Sequence, residues 1–267
     1  MISRKKLLVG AVAAVLSVSA AGAATLQKSH PGAPQAISFT QVTTASVLYD
    51  QTSNASGDGT PIQNFESSFD AYDAEGADDF VVPAGGWTLT EVDLVTSTST
   101  GFTGATTATV TIYPDAAGMP GSTPACSFPG SSATVGASTT AIPLGGGCSL
   151  GQGTYWVAVQ IDLDFGTSGQ IFWSNRSTQS NSAGVWRNPG DGFGSGCTSW
   201  GAQTSCGVGG GASPDFLFQL VGDVGGGTPP LPAYTPVPTM GQWGAALGVA
   251  GLGLLGLFGL RRRRSKV

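Results

Sequence analysis

The chain has 267 residues, a formal net charge of −5 and 42 glycines, and only 10% of its residues are charged. This composition disfavours a helical protein and favours a loop-rich, extracellular β protein. All 16 acids but only three of the 11 cations lie between residues 24 and 236, which gives this part a formal charge of −13. Such a charge repels nucleic acid, whose binding needs clustered lysine and arginine.

The N-terminus has the layout of a secretory signal peptide. Three basic residues at positions 4–6 precede an apolar stretch at residues 7–18 and an A-x-A-like cleavage site that ends at Ala23. The apolar stretch is too short for a permanent membrane span. We therefore predict a signal helix at residues 1–23 and a flexible leader at residues 24–36.

A β-rich domain is predicted for residues 37–222. Its clearest strand is Tyr155–Phe165, where apolar and polar side chains alternate throughout. Residues 50–59 are predicted as a loop. The other predicted strands are Ile37–Tyr49, Phe80–Pro83, Trp87–Ser97 with a bulge near Thr90, Ala105–Tyr113, a hairpin-like pair between Cys126 and Cys148, Ile171–Ser174, Gly184–Arg187 and Asp215–Val221. Short strands between glycine turns favour an all-β fold, an antiparallel β-sandwich of the jelly-roll kind.

Three runs in this domain, Asp78–Trp87, Val110–Gly121 and Gly153–Val157, have a strand-and-turn pattern. The pattern resembles jelly-roll carbohydrate-binding and adhesion modules of bacterial surface proteins. The resemblance implies a β-sandwich, but it carries over no binding residue and proves no function.

The C-terminus combines a short motif, an apolar run and a basic tail within residues 237–267, after a Gly- and Pro-rich linker at residues 223–236. The apolar run, residues 241–260, has no charge and reaches roughly 30 Å as a helix, the thickness of a bilayer core. The four arginines behind it are Arg261, Arg262, Arg263 and Arg264. They favour a cytoplasmic end, so a single transmembrane helix should hold the body outside the inner membrane.

This layout resembles the IPTL-CTERM sorting signal of Gram-negative bacteria, a relative of PEP-CTERM. The residues at the motif are Val237, Pro238, Thr239, Met240 and Trp243. Val237 and Met240 replace the usual Ile and Leu, and Gly241–Gln242 replaces the common Ser-Glu pair. The resemblance implies a partner, an exosortase-like membrane processing enzyme that cuts near the motif and passes the body towards the cell surface. A plain single-pass anchor is the alternative.

The four cysteines are Cys126, Cys148, Cys197 and Cys206. An exported chain meets an oxidising compartment, so the even count predicts two disulfides, for which three pairings exist. We favour Cys126–Cys148 and Cys197–Cys206, because each pair is close in sequence and flanked by turn residues. Zinc is the competing interpretation, but the chain has no C-x-x-C, and its single histidine, His30, lies in the leader.

Acidic residues are dense between residues 70 and 79. The candidate calcium ligands are Asp70, Asp73, Glu75 and Asp79, with Asp58 as a further member. Calcium prefers several oxygen ligands, but the spacing is not that of an EF-hand. The alternative is a solvated acidic loop, and no other cofactor is predicted. Asp162 and Asp164 are interpreted as the polar face of their strand.

Three tryptophans are candidates for an exposed glycan-binding platform. They are Trp156, Trp186 and Trp200, with Arg187, Asn188 and Asp191 as polar partners. Trp156 alternates with the apolar residues of its strand and so falls on the predicted polar face, and the other two tryptophans flank a polar loop. Aromatic packing is the alternative for Trp156, and Trp87 and Trp173 are predicted to lie in the core.

These features predict an exported, non-enzymatic protein with a structural, matrix or adhesion role. Its body would lie in the periplasm on an inner-membrane anchor, or at the cell surface after processing. A carbohydrate-binding module is the first alternative, and a glycoside hydrolase, which needs two carboxylates in one cleft, is the second. A Ser-His-Asp or Cys-His mechanism is disfavoured by the position of His30.

Overall fold

The computed structural model describes Lys28 and residues 45–225. The chain divides into the units Met1–Pro229 and Pro230–Val267, and the described residues all belong to the first. The predicted signal helix, transmembrane helix and sorting motif lie outside the described residues. Within residues 45–225, no helix combines the length and apolar character that a membrane crossing requires.

The described part of the chain consists mainly of short strands. They are β1 (Ser46–Asp50), β2 (Ala55–Pro61), β3 (Gln63–Asn64), β4 (Glu75–Val82), β5 (Trp87–Thr98), β6 (Gly104–Pro114), β7 (Cys126–Val135), β8 (Thr139–Leu150), β9 (Gly153–Asp162), β10 (Ile171–Arg176), β11 (Val185–Arg187), β12 (Gly201–Ala202), β13 (Asp215–Phe216) and β14 (Phe218–Val224). One short helix, α1 (Phe165–Ser168), and two 3₁₀ turns, Ser67–Tyr72 and Gly209–Gly211, lie between them.

The strands form one curled sheet that is almost wholly antiparallel. Its hydrogen-bonded order is β1-β14-β5-β8-β7-β6-β9-β4-β11-β12, and β10 joins β5, β2 and β13. Within residues 45–225 the pairing of β3 with β9 is parallel. The prediction of an all-β, antiparallel domain is confirmed, whereas the jelly-roll connectivity stays a prediction.

The main core draws side chains from both halves of the curled sheet. Phe80 of β4, Val157 of β9, Leu94 of β5 and Phe218 of β14 all belong to one buried cluster. Burial of a side chain of this size contributes about 1.5–3 kcal/mol. The tryptophans predicted for the core are 6% exposed (Trp87) and 0% exposed (Trp173), which confirms that prediction.

Local features of the strands match the sequence in some places and differ in others. The bulge predicted near Thr90 is present as a register shift between Leu89 and Glu91. The prediction of a loop at residues 50–59 is wrong, because β2 begins at Ala55 and pairs with β10. Gly59 permits this pairing, since a Cβ there would lie 2.9 Å from the Cβ of Phe172.

Both predicted disulfides form. The Cys126–Cys148 bridge joins β7 to β8, which pair with each other only near Thr134 and Val135, so the bridge ties the ends at which the strands separate. The second bridge joins Cys197, which precedes β12, to Cys206, which follows it. Among the described residues, no cysteine remains free.

Candidate functional site

The predicted tryptophan platform is wrong for two of its three members. Trp156 and Trp186 are 0% exposed. The indole nitrogen of Trp156 donates to Asp115 Oδ1 at 2.8 Å, and that of Trp186 donates to Pro61 O at 2.7 Å. Alternation in β9 misled the prediction because both faces of this strand are covered: Ala158, on the same face as Trp156, is buried too.

Trp200 is half-buried, but its ring is already held by other groups. The guanidinium carbon of Arg187 lies 4.3 Å from the ring centroid, which is a cation–π contact. Arg187 also pairs with Glu75, and the ring of Tyr113 meets Trp200 edge to face at 6.5 Å. The indole therefore packs against Arg187 and Tyr113.

The predicted polar partners of that platform also have structural roles. The side-chain amide of Asn188 is buried and donates to Ala71 O at 2.7 Å and to Asp73 O at 2.9 Å. Asp191 Oδ1 accepts the backbone N–H of Gly196 at 2.9 Å. Both side chains hold the loop that follows β11.

The four candidate calcium ligands do not converge on one point. Asp73 and Asp79 each accept a backbone N–H, Glu75 binds a guanidinium group, and Asp70 is exposed. Residues 45–225 contain no group of three or more His, Cys, Asp or Glu arranged to hold a metal ion. The alternative, a solvated loop, is wrong for Asp79, which lies in β4 and is 0% exposed.

A buried acidic centre lies where β4, β10 and β13 meet. The carboxylate of Asp78 accepts hydrogen bonds from Gln51 Nε2 at 2.9 Å, from Phe216 N at 2.8 Å and from the N–H of the next residue. Asp215 Oδ2 lies 3.7 Å from Arg176 Nη1, which is an ion pair. Burial, followed by the charge of Asp215, raises the pKa of Asp78 well above its usual range, and burial raises the pKa of Asp215 to about 6. Backbone and side-chain donors from distant segments converge on these two carboxylates, so the centre ties those segments together.

An open groove of about 470 Å³ lies at the C-terminal end of β9. Its lining residues are Asn64, Phe65, Phe102, Ala105, Thr106, Asp162, Leu163, Asp164, Thr167 and Ser168. They come from three segments far apart in sequence. A concave site with a few converging polar groups is the usual starting hypothesis for ligand binding. The groove was not predicted from the sequence, because no local sequence pattern indicates it.

Asp162 is the best-positioned polar group of the groove. It is the register partner of Asn64 in β3 and of Thr107 in β6. Its Oδ1 accepts the side-chain amide of Asn64 at 2.8 Å, and its Oδ2 accepts the hydroxyl of Thr107 at 2.5 Å. The hydroxyl of Thr106 donates to the carbonyl oxygen of Asp162. The carboxylate is therefore fixed in orientation while it remains half-buried.

The walls of the groove carry a second acid and an aromatic ring. Asp164 is exposed and directly precedes α1, whose first N–H groups are held by the carboxylate of Glu66. Phe102 is half-buried and packs against the main core. A side chain at Gly104 would meet the Phe102 ring at 3.2 Å, so glycine there leaves room for the ring. The prediction that both acids form the polar face of their strand is wrong for Asp164, because β9 ends at Asp162; the two acids line one cavity.

Comparison with known proteins places few limits on function. No family model matches the chain, and no curated protein matches it. A solved structure described as the cysteine protease and lectin-like domains of Cwp84, a surface layer associated protein of Clostridium difficile, matches with 13% identity and a TM-score of 0.39. The match covers 57% of this chain but only 32% of that one, and a likeness of this degree carries no argument about function.

Proposed function

We propose that the chain is an exported, non-enzymatic component of the cell envelope with a structural, matrix or adhesion role. The observation that carries the proposal is the pair of disulfides, which persist in an oxidising compartment. The signal-like residues 1–23 and the formal charge of −13 between residues 24 and 236 support the same location.

The non-enzymatic role is supported by the surroundings of the acids. The carboxylates of Asp78 and Asp215 are occupied by backbone and side-chain donors. In the groove, Asp162 is half-buried and held by neutral donors and Asp164 is exposed, so neither carboxyl is buried as the general acid of a glycosidase commonly is. Two carboxylates do share this groove, which keeps a glycoside hydrolase as the weaker alternative.

The proposed route to the envelope depends on the C-terminal segment. Residues 241–260 would hold the chain in the inner membrane, with Arg261–Arg264 on the cytoplasmic side. An exosortase-like enzyme would then cut near Val237–Trp243 and release the body towards the surface. Mass spectrometry of the mature C-terminus separates this route from permanent anchoring. A mature chain that still ends at Val267 has not been cut and is permanently anchored.

Deleting Val237–Val267 tests the location. The truncated protein should appear in the periplasm or the medium, while the full chain should fractionate with membrane or surface. Replacing only Pro238 and Thr239 with alanine is the matched control, since it keeps the anchor and should leave unprocessed protein in the inner membrane. A truncated protein that still fractionates with membrane would refute the proposed role of the segment.

Carbohydrate binding is the second candidate function, at the groove rather than at the tryptophans. The observation that favours it is the combination of the fixed carboxylate of Asp162, the exposed Asp164 and the half-buried ring of Phe102 in one cavity. Sugar sites commonly combine a few oriented polar groups with an aromatic surface. A glycan screen with purified protein tests it, and Phe102→Ala should weaken any hit that uses the groove.

A further inference from the structure

We propose that Asp162 is the ligand-orienting acceptor of the groove, and that the groove selects sugars with neighbouring hydroxyls or an amino group and rejects acidic sugars. This inference rests on carbohydrate binding as the function of the groove, and it names the chemistry of the ligand. It follows from the hydrogen bonds of one carboxylate, from the charges around it and from the ring beside it.

The first step concerns the free acceptor positions of Asp162. An ionised carboxylate has about four lone-pair sites on its two oxygens. The amide of Asn64 uses one site on Oδ1, and the hydroxyl of Thr107 uses one on Oδ2. Each oxygen keeps a further site, and the two oxygens lie side by side in one plane. This arrangement suits two neighbouring sugar hydroxyls, which donate in parallel.

The second step concerns the rigidity of this acceptor. Asp162 lies at the end of β9 between two neighbouring strands, β3 and β6. Its side chain is therefore oriented before any ligand arrives, so binding does not have to order it. Asp164, two residues further on, is exposed, and its side chain makes no capping hydrogen bond to α1, so it adds negative charge without a fixed orientation.

The third step concerns charge. The lining of the groove holds two acids and no lysine or arginine. Two arginines of the described chain are committed elsewhere, Arg176 to Asp215 and Arg187 to Glu75. A sugar carboxylate would enter a negative site without a compensating cation, whereas a protonated amino group would gain an ionic hydrogen bond.

Three probes with the same glucose ring test the inference: glucose, glucosamine and glucuronate. NMR titration of the purified full-length protein in detergent should rank glucosamine first, glucose second and glucuronate weaker than glucose by about tenfold or more. Asp162→Asn should weaken glucose and glucosamine by about tenfold, because one acceptor position is lost. Asp164→Asn should reduce the advantage of glucosamine over glucose, because it removes one negative charge from the wall of the groove.

The variants are designed to preserve the fold. Asparagine at 162 keeps an oxygen for Asn64, and its amide can donate to the Thr107 hydroxyl, which can also accept. Thr107→Val is a second variant: it keeps the charge of Asp162 but frees Oδ2, and it should weaken glucose binding by a smaller factor than Asp162→Asn. Asp223→Asn, on an exposed position of β14, is the control and should change nothing.

The outcomes separate the inference from the function on which it rests. Equal binding of the three sugars, or glucose binding that Asp162→Asn leaves intact, would overturn the inference while carbohydrate binding stands. Failure of all three sugars and of the wider glycan screen would remove carbohydrate binding and the inference together. Neither result bears on the envelope location, which fractionation tests independently.

Discussion

Replacing Asp93 with asparagine should make the protein more stable at neutral and alkaline pH. Asp93 lies in β5 and is 6% exposed, and Glu91 lies two residues earlier, on the same face of the strand. Burial, followed by the charge of Glu91 and its hydrogen bond, raises the pKa of Asp93 from 3.8 to about 7. Opposite Asp93 in β14, the buried Oε1 of Gln219 has no hydrogen-bond partner within residues 45–225.

The sign of the pH effect follows from this shift. A carboxyl with a raised pKa in the folded state holds its proton more tightly there than in the unfolded chain. Its contribution to stability is fully present below the ordinary value of 3.8 and is lost as the pH rises through about 7. A rise in pKa from 3.8 to about 7 corresponds to ~4 kcal/mol. Because part of this rise in pKa comes from the charge of the half-exposed Glu91, which solvent screens, we expect about 2 kcal/mol from Asp93 alone.

Asp93→Asn removes the charge, keeps the shape and supplies an amide that can donate to Gln219 Oε1. The free energy of unfolding should rise by about 2 kcal/mol at pH 8 and change little at pH 4. Urea titration followed by tryptophan fluorescence measures it at both pH values. Asp223→Asn, exposed in β14, is the matched control and should stay within about 0.5 kcal/mol of the parent.

One result would refute this reasoning. If Asp93→Asn lowers the free energy of unfolding by the same amount at pH 4 and pH 8, the carboxylate is needed for its hydrogen-bond geometry and not merely tolerated as a buried charge.

The remaining predictions concern a bridge, two indoles and a close backbone contact. Replacing Cys126 and Cys148 together with alanine should lower the free energy of unfolding by about 3 kcal/mol in urea titration, because a closed loop with a sequence separation of 22 is released in the unfolded state. Trp186→Phe should lower the melting temperature more than Trp156→Phe, because the first removes a buried hydrogen bond to a backbone carbonyl and the second removes a hydrogen bond to an exposed carboxylate. Gly222→Ala should abolish the folded, secreted product on a gel, because its Cβ would lie 2.1 Å from a backbone oxygen of β5; normal yield would contradict this contact.

Strands were predictable where the sequence carries a local signal. Alternation identified β9, and Tyr155, Val157 and Ile161 are buried as that pattern requires. The predicted end at Phe165 is wrong, because β9 ends at Asp162 and Phe165 begins α1. The disulfide pairs followed from their closeness in sequence. The burial of the opposite face of β9 was not predictable, because alternation assumes one solvated face. Here Trp156 and Ala158 are covered by side chains from β4, β6 and β11 and by Trp200.

The burial of acidic residues was also not predictable from local sequence. Asp78 stands in a run of acids that predicts a solvated loop, yet it lies in β4 and is 0% exposed. Its donors, Gln51 and Phe216, are 27 and 138 residues away in sequence. Burying a carboxylate is costly unless hydrogen bonds compensate, and such distant partners appear only in the folded chain.

The number of donors around each carboxylate separates the structural acids from the candidate binding residue. Asp78 is closed to solvent and accepts three hydrogen bonds from the protein, so nothing in solution can reach it. Asp162 accepts two through its side chain, is half-buried and faces a cavity, so each oxygen retains an acceptor site for a ligand. Both are aspartates in strands of an acidic domain, and the sequence does not distinguish them. The distinction arises when β3 and β6 pair with β9 and leave the end of that strand open.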